Sequence, residues 1–235
     1  IYKGADCLAP EEKLCLVSLS DGGKDAVVVR EYDTAAKRFV SKGFRLPEGK
    51  HRIAWLNQDT LLVATDFGEG SLTESGYPFI VKTLVRGEEL ATARTVYSGS
   101  AKDGGYGVDP YVLRDGAGKV LAVLVSRPLD TFRSETWEIV DGRPVKLALP
   151  ERVTIRGALG GGSAAAPPRL VFTVEEAWAP NNIKKVGAGA LMAVGMRLLR
   201  PPPPNVGLVM TNADTSVFEP TARQSLEEVA VFDDR

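Results

Sequence analysis

A four-part phrase of short β-rich runs recurs along this chain, and no other feature of the sequence restricts its fold as strongly. One copy reads RIAWLN (52–57), TLLVATD, FIVKTLV and RTVYSG (94–99), and the next reads PYVLRD (110–115), KVLAVLVS, ETWEIV and PVKLALP (144–150). An earlier copy, with LCLVSL and AVVVREY, occupies about 1–44, and a later one, with RLVFTVEE, about 153–219. Val, Thr and aromatic residues dominate these runs, which suits a pleated, half-buried surface. The turn formers Asp21-Gly22-Gly23, Asn57-Gln58-Asp59, Asp115-Gly116-Ala117-Gly118 and Asp141-Gly142 punctuate them. No convincing amphipathic helix interrupts the series.

Corresponding first strands stand roughly 45–75 residues apart, close to the ~40–50 of propeller repeats. Four-stranded antiparallel units at that spacing are what a β-propeller requires. One such sheet alone cannot cover both of its faces, whereas face-to-face stacking buries them. The expected fold is therefore all-β. It is a β-propeller fragment of about four four-stranded blades (1–44, 50–99, 108–150 and 153–219) with the start of a fifth at 224–235. A β-sandwich is the structural rival, and the recurring long–short strand phrase favours blades. Residues 179–205 read as an insertion loop in the fourth blade. Pro201 to Pro204 favour polyproline II there and are excluded from a central strand. A rigid loop is the simpler reading of that run, and a ligand for a proline-recognising partner is the alternative.

The charge balance, 29 basic against 30 acidic side chains in 235 residues, provides no broad basic face for nucleic acid. No run of 18 apolar residues is present, so no membrane-spanning helix is expected. The chain opens at Ile1 rather than Met, so the lack of a signal peptide carries no information, and its true start is expected to lie upstream. A cytoplasmic location is expected, with a periplasmic one as the alternative. Cys7 and Cys15 flank a turn at Pro10 and Glu11 that brings them near each other across a hairpin. They read as two reduced structural thiols rather than a bond.

Few residues of the chain have the spacing that chemistry needs. The single histidine, His51, precedes RIAWLN and reads as a surface residue, whereas a catalytic triad needs a histidine oriented by a carboxylate. Gly161-Gly162-Ser163-Ala164-Ala165 lacks the last glycine of a nucleophile elbow. One histidine and two cysteines offer no zinc spacing. The stretch from Asp103 to Asp109 lacks the ligand order of a calcium loop and reads as a connection between blades. Gly22-Gly23-Lys24-Asp25 is not a phosphate loop. No catalytic, cofactor-binding or metal-binding residue is expected, and the chain reads as inert by itself.

The segments LSDGGKDAVVVREYD, DTLLVATDFG, TESGYP and FEPTARQSLEEVAV (218–231) resemble the N-terminal propeller of bacterial prolyl oligopeptidase-like serine peptidases of the S9 type. The resemblance covers residues 3–178 and resumes at 218. It implies a seven-bladed propeller capping an α/β-hydrolase domain, with the active site between the two and the whole serine–aspartate–histidine triad in the other domain. It further implies that the propeller restricts access to short peptides, with cleavage after proline as the family preference. This chain would then be a fragment lacking the catalytic domain, which would be its partner along with short peptides. A non-enzymatic binding scaffold is the rival class. A metal-binding propeller enzyme is a second, disfavoured by the lone His51. A fragment of a ring is also expected to self-associate through exposed blade edges, through alternate members of AVVVREY or through LEEVAVF (226–232).

Overall fold

The computed structural model describes residues 1–103, 105–160, 168–179 and 186–201, and the backbone of 215–218. Its strands form four antiparallel sheets, each ordered largely as the chain runs. The first holds β1 (Tyr2–Cys7), β2 (Leu14–Leu19), β3 (Val27–Asp33), β4 (Arg38–Phe39) and β5 (Arg45–Gly49), with β4 and β5 sharing the far edge of β3. It therefore extends past Phe44 to Gly49. The second holds β6 (Arg52–Asn57), β7 (Thr60–Ala64), β8 (Ile80–Val85) and β9 (Arg94–Ser98). The third holds β10 (Asp109–Arg114), β11 (Val120–Pro128), β12 (Ser134–Val140) and β13 (Arg143–Lys146). The fourth holds β14 (Val153–Leu159), β15 (Arg169–Val174), β16 (Leu191–Gly195) and β17 (Thr215–Phe218). All four glycine- and aspartate-rich turns join neighbouring antiparallel strands of one sheet, as their composition predicts.

Side-chain alternation explains why the second strands read as unbroken apolar runs. In β7, Leu61 and Val63 enter the core shared with the first sheet, while Leu62 and Ala64 enter the core shared with the third. In β11, Ala122 and Leu124 face the fourth sheet, and Val123 and Val125 face the second. Successive side chains of a strand point to opposite faces. A sheet covered on both sides therefore needs an apolar residue at every position. Three cores alternate with four sheets, and the sheets are stacked propeller blades. Each fully buried Leu or Phe in these cores contributes about 1.5–3 kcal/mol.

The structure differs from the sequence-based expectation at two places. Cys7 and Cys15 are directly opposed in the β1–β2 ladder, with Cα atoms 4.0 Å apart, and form a disulfide rather than two thiols. Cross-strand register brings the sulfurs together, and register cannot be read from cysteine count. The stretch read as an insertion loop contains β16 and a helical turn, α1 (Met196–Leu199). Ala190, Met192, Val194, Met196, Leu198 and Leu199 are buried against the third and fourth sheets. The run Ala190 to Met196 is apolar enough for an inner strand, but the prolines after it dominate its appearance in the sequence. The Gly161 to Ala165 tract, Pro202 to Pro204 and the fifth-blade start at 224–235 lie outside the described residues.

Candidate functional site: the inner wall of the propeller

The first strands of consecutive sheets converge on one wall, and backbone carbonyls tie them together. The Trp55 indole N–H of β6 donates to the Asp6 carbonyl of β1 at 3.0 Å. Arg114, at the end of β10, donates to the Trp55 and Leu56 carbonyls at 2.8 and 2.9 Å and to the Gly118 carbonyl at 2.9 Å. Where β1 and β10 end, turns from the first and third sheets meet. Gly118, at φ +82°, sits so close to Pro10 that a Cβ there would overlap the proline ring. Only a glycine fits that backbone and that approach.

Among the described residues, three concavities follow the wall. The largest, about 500 Å³, opens between the first two sheets and includes Lys3, Asp6, Lys50, Arg52 and Tyr77. A second, about 400 Å³, shares His51, Arg52 and Ile53 with it and reaches Tyr106 and Asp109. A third, about 360 Å³, lies among Asp6, Trp55, Tyr111 and Arg114. Charged side chains of the first strands therefore line these concavities.

Asp6 and Asp109 are exposed on the concave side, with protein packed beside their carboxyl groups. Desolvation lifts both carboxyl pKa values above the usual range, while Arg114 and Arg52, respectively, pull them back down. Burial also raises the Tyr111 phenol, with Asp109 adding to it.

His51 is half-buried at the edge of two concavities and is held by protein partners. Its Nε2 lies 2.8 Å from the Pro47 carbonyl and 3.0 Å from the Val27 carbonyl, so it carries the proton and donates to both. Nδ1 then accepts from the Thr65 hydroxyl at 2.7 Å. Desolvation lowers its pKa below 6.5, and the two carbonyls oppose the shift. The ring stitches β3 and β5 to the end of β7. A carboxylate to orient it as a base is not among its contacts.

Two buried glutamates, which sequence reasoning missed, clamp neighbouring sheets. Glu31 of β3 receives both Nη groups of Arg86 from the second sheet at 2.8 and 3.0 Å. Glu138 of β12 receives Nε and Nη2 of Arg200 at 2.7 and 2.8 Å. Between the second and third sheets, Asp103 holds Arg127 in the same two-pronged way. Asp103 lies in the connection from β9 to β10, so the glycine-rich stretch around it does link two blades. A signal was present in the sequence: Glu31 and Glu138 occupy positions where strand alternation calls for an apolar residue.

No family model matches the chain. An uncharacterised peptidase of Sinorhizobium fredii is 34% identical over 224 residues, covering 92% of this chain and 30% of that protein. Among solved structures, a post-proline cleaving enzyme from Rickettsia typhi superposes with a TM-score of 0.75 at 22% identity, covering 94% of this chain and 32% of that one. A prolyl endopeptidase superposes at 0.63 with 11% identity, covering 94% and 29%. The chain has the β-propeller fold that those solved structures contain. This propeller segment spans about a third of the length of each of those proteins. Its four sheets are therefore four blades, and the converging first strands are the inner wall of the propeller.

Proposed function

We propose that this propeller segment belongs to a serine-type oligopeptidase, where it caps the catalytic α/β-hydrolase domain and limits access to short peptides. The observation that carries the reading is the alignment with a peptidase along 92% of the chain. The inner wall supports it: charged side chains line concavities of about 360–500 Å³, dimensions that suit an extended peptide better than a folded protein. A covered site selects substrates by access as well as by contact and keeps water from the reacting bond. The segment itself supplies no nucleophile to this scheme. The post-proline preference is part of the proposal and is inherited from the family.

The test uses the full-length protein and one cleavage sequence in two settings. As a short fluorogenic peptide it should be hydrolysed, and displayed on the surface of a folded protein it should survive. A serine-directed fluorophosphonate should label the full-length protein and leave the 235-residue chain unlabelled. Cleavage of the folded substrate at a rate comparable to the peptide overturns the gating role. Labelling of the isolated segment overturns its non-catalytic role.

The Cys7–Cys15 bond favours an oxidising compartment, such as the periplasm, over the cytoplasm. Alkylation of thiols in intact cells before lysis should leave both cysteines unmodified. Their modification restores the cytoplasmic expectation.

A further inference from the structure

The cleft between the first two sheets contains cations that the fold does not neutralise. Lys50 places its ammonium 3.9 Å over the Tyr77 ring, and among the described residues no carboxylate stands within ion-pair distance of it. Arg52 opens β6 and is exposed, and Asp109 faces it only at longer range. Lys3, the third cation of the cleft, donates to the Gly23 carbonyl. Arg86, Arg127 and Arg200 are different, for each is locked by two hydrogen bonds onto a buried acid between sheets. Those arginines serve the fold. Lys50 and Arg52 line an open space of about 500 Å³.

We propose that this cleft binds the free carboxylate of a short peptide, with Lys50 and Arg52 as its ligands. A guanidinium fork donates two parallel hydrogen bonds to a carboxylate, and an ammonium beside it adds a point charge. His51 lines the same space but does not compete, since its Nε2 proton is committed to the Val27 and Pro47 carbonyls. The acids Asp6 and Asp25 also line the cleft. Asp6 is opposed by Arg114, which leaves Lys50 as the cation of the cleft with no acid at ion-pair distance among the described residues and Arg52 with Asp109 only at longer range. The volume leaves room for the last residues of the peptide beside its carboxylate. The proposal rests on the reading that short peptides reach this wall, and it adds a preference: peptides with a free C-terminus over amidated ones.

Two measurements separate this proposal from the reading beneath it. In the full-length protein, kcat/KM for a short peptide acid should exceed that for its C-terminal amide about tenfold at low salt, with the advantage shrinking as salt is added. Lys50→Gln and Arg52→Gln should each bring the acid-to-amide ratio of kcat/KM down toward one, the ratio within each variant being the readout. Equal rates for acid and amide, or a preference that survives both substitutions, overturn the carboxylate site and leave peptide gating intact. Calorimetric titration of the same proteins with N-acetyl-dialanine and its amide gives a readout independent of hydrolysis. Binding of the acid that Arg52→Gln abolishes supports the cleft even if no peptide is cleaved, and absence of acid binding overturns it.

Discussion

Removing Arg86 while keeping Glu31 isolates the energetic role of an inter-blade clamp. Glu31 is 1% exposed and accepts hydrogen bonds from the Arg86 guanidinium and from the Phe44 backbone N–H, the latter at 2.7 Å. Arg86 also donates to Asp59 and to the Gln58 carbonyl, and its guanidinium stands over the Phe44 ring. In Arg86→Met the ring keeps an apolar neighbour, but a carboxylate is left in the interior with one backbone donor. Breaking a buried pair from one side costs about 3–5 kcal/mol. The arginine side chain is 25% exposed, so water can partly replace it, and the lower end of about 3 kcal/mol applies. For a chain of this size, that corresponds to a fall in Tm of about 6–12 °C. Adding Glu31→Gln retains an oxygen for the Phe44 N–H and removes the charge, so the double variant should recover most of the loss. Urea melts of the four proteins form a double-mutant cycle. A loss below about 1 kcal/mol for Arg86→Met, or a double variant no more stable than the single, would refute the argument that an uncompensated charge is the main cost.

Four shorter predictions accompany it. The folded pKa of His51 lies below 6.5, so the unfolded chain binds its proton first as pH falls. The stability it confers is complete above that value and declines below it, and His51→Gln should flatten the fall between neutral and mildly acid pH in urea melts. Asp109 has the opposite sign: its raised pKa makes the ionised form costly, so Asp109→Asn should gain stability at neutral pH and lose that advantage near pH 3.8. Cys15→Ser should cost about 2.5 kcal/mol, the chain-entropy value for a bond spanning a sequence separation of 8, and dithiothreitol should destabilise the parent but not the variant. Gly107 has φ +69°, and a Cβ there would lie 2.6 Å from the Pro78 carbonyl oxygen; Gly107→Ala should therefore cost more than about 1 kcal/mol in thermal melts.

The architecture was legible because both faces of each inner blade are covered. TLLVA and VLAVLV announce this by carrying apolar residues at consecutive positions, and the aspartate–glycine turns between runs set the up-and-down order. The fourth blade was less readable. Its third strand, Leu191–Gly195, lies between a basic stretch and a proline run, and composition favoured a loop although every second side chain faces the core. The disulfide was hidden for another reason. A hairpin turn brings two cysteines near each other, but only the pairing of Cys7 with Cys15 across β1 and β2 makes them partners.

The wall was the least legible part, and the reason is physical. Its members come from the openings of different blades: Lys3 from β1, Arg52 from β6 and Asp109 from β10. No local spacing connects them, because the repeat that builds the wall sets them some 50 residues apart. The repeat also decides where such residues can collect. Sheet faces are committed to the three apolar cores, and the polar positions within them are tied up in clamps such as Glu31–Arg86 and Glu138–Arg200. The opening of β6, at Lys50 and Arg52, has neither duty. A charge placed there is neither buried against a neighbour nor required by a clamp, so its identity can follow the ligand rather than the fold. Lys50 and Arg52 fit that description, whereas His51, between them in sequence, is held by three hydrogen-bond partners and belongs to the scaffold. Three consecutive residues thus divide between holding two blades together and facing the space between them.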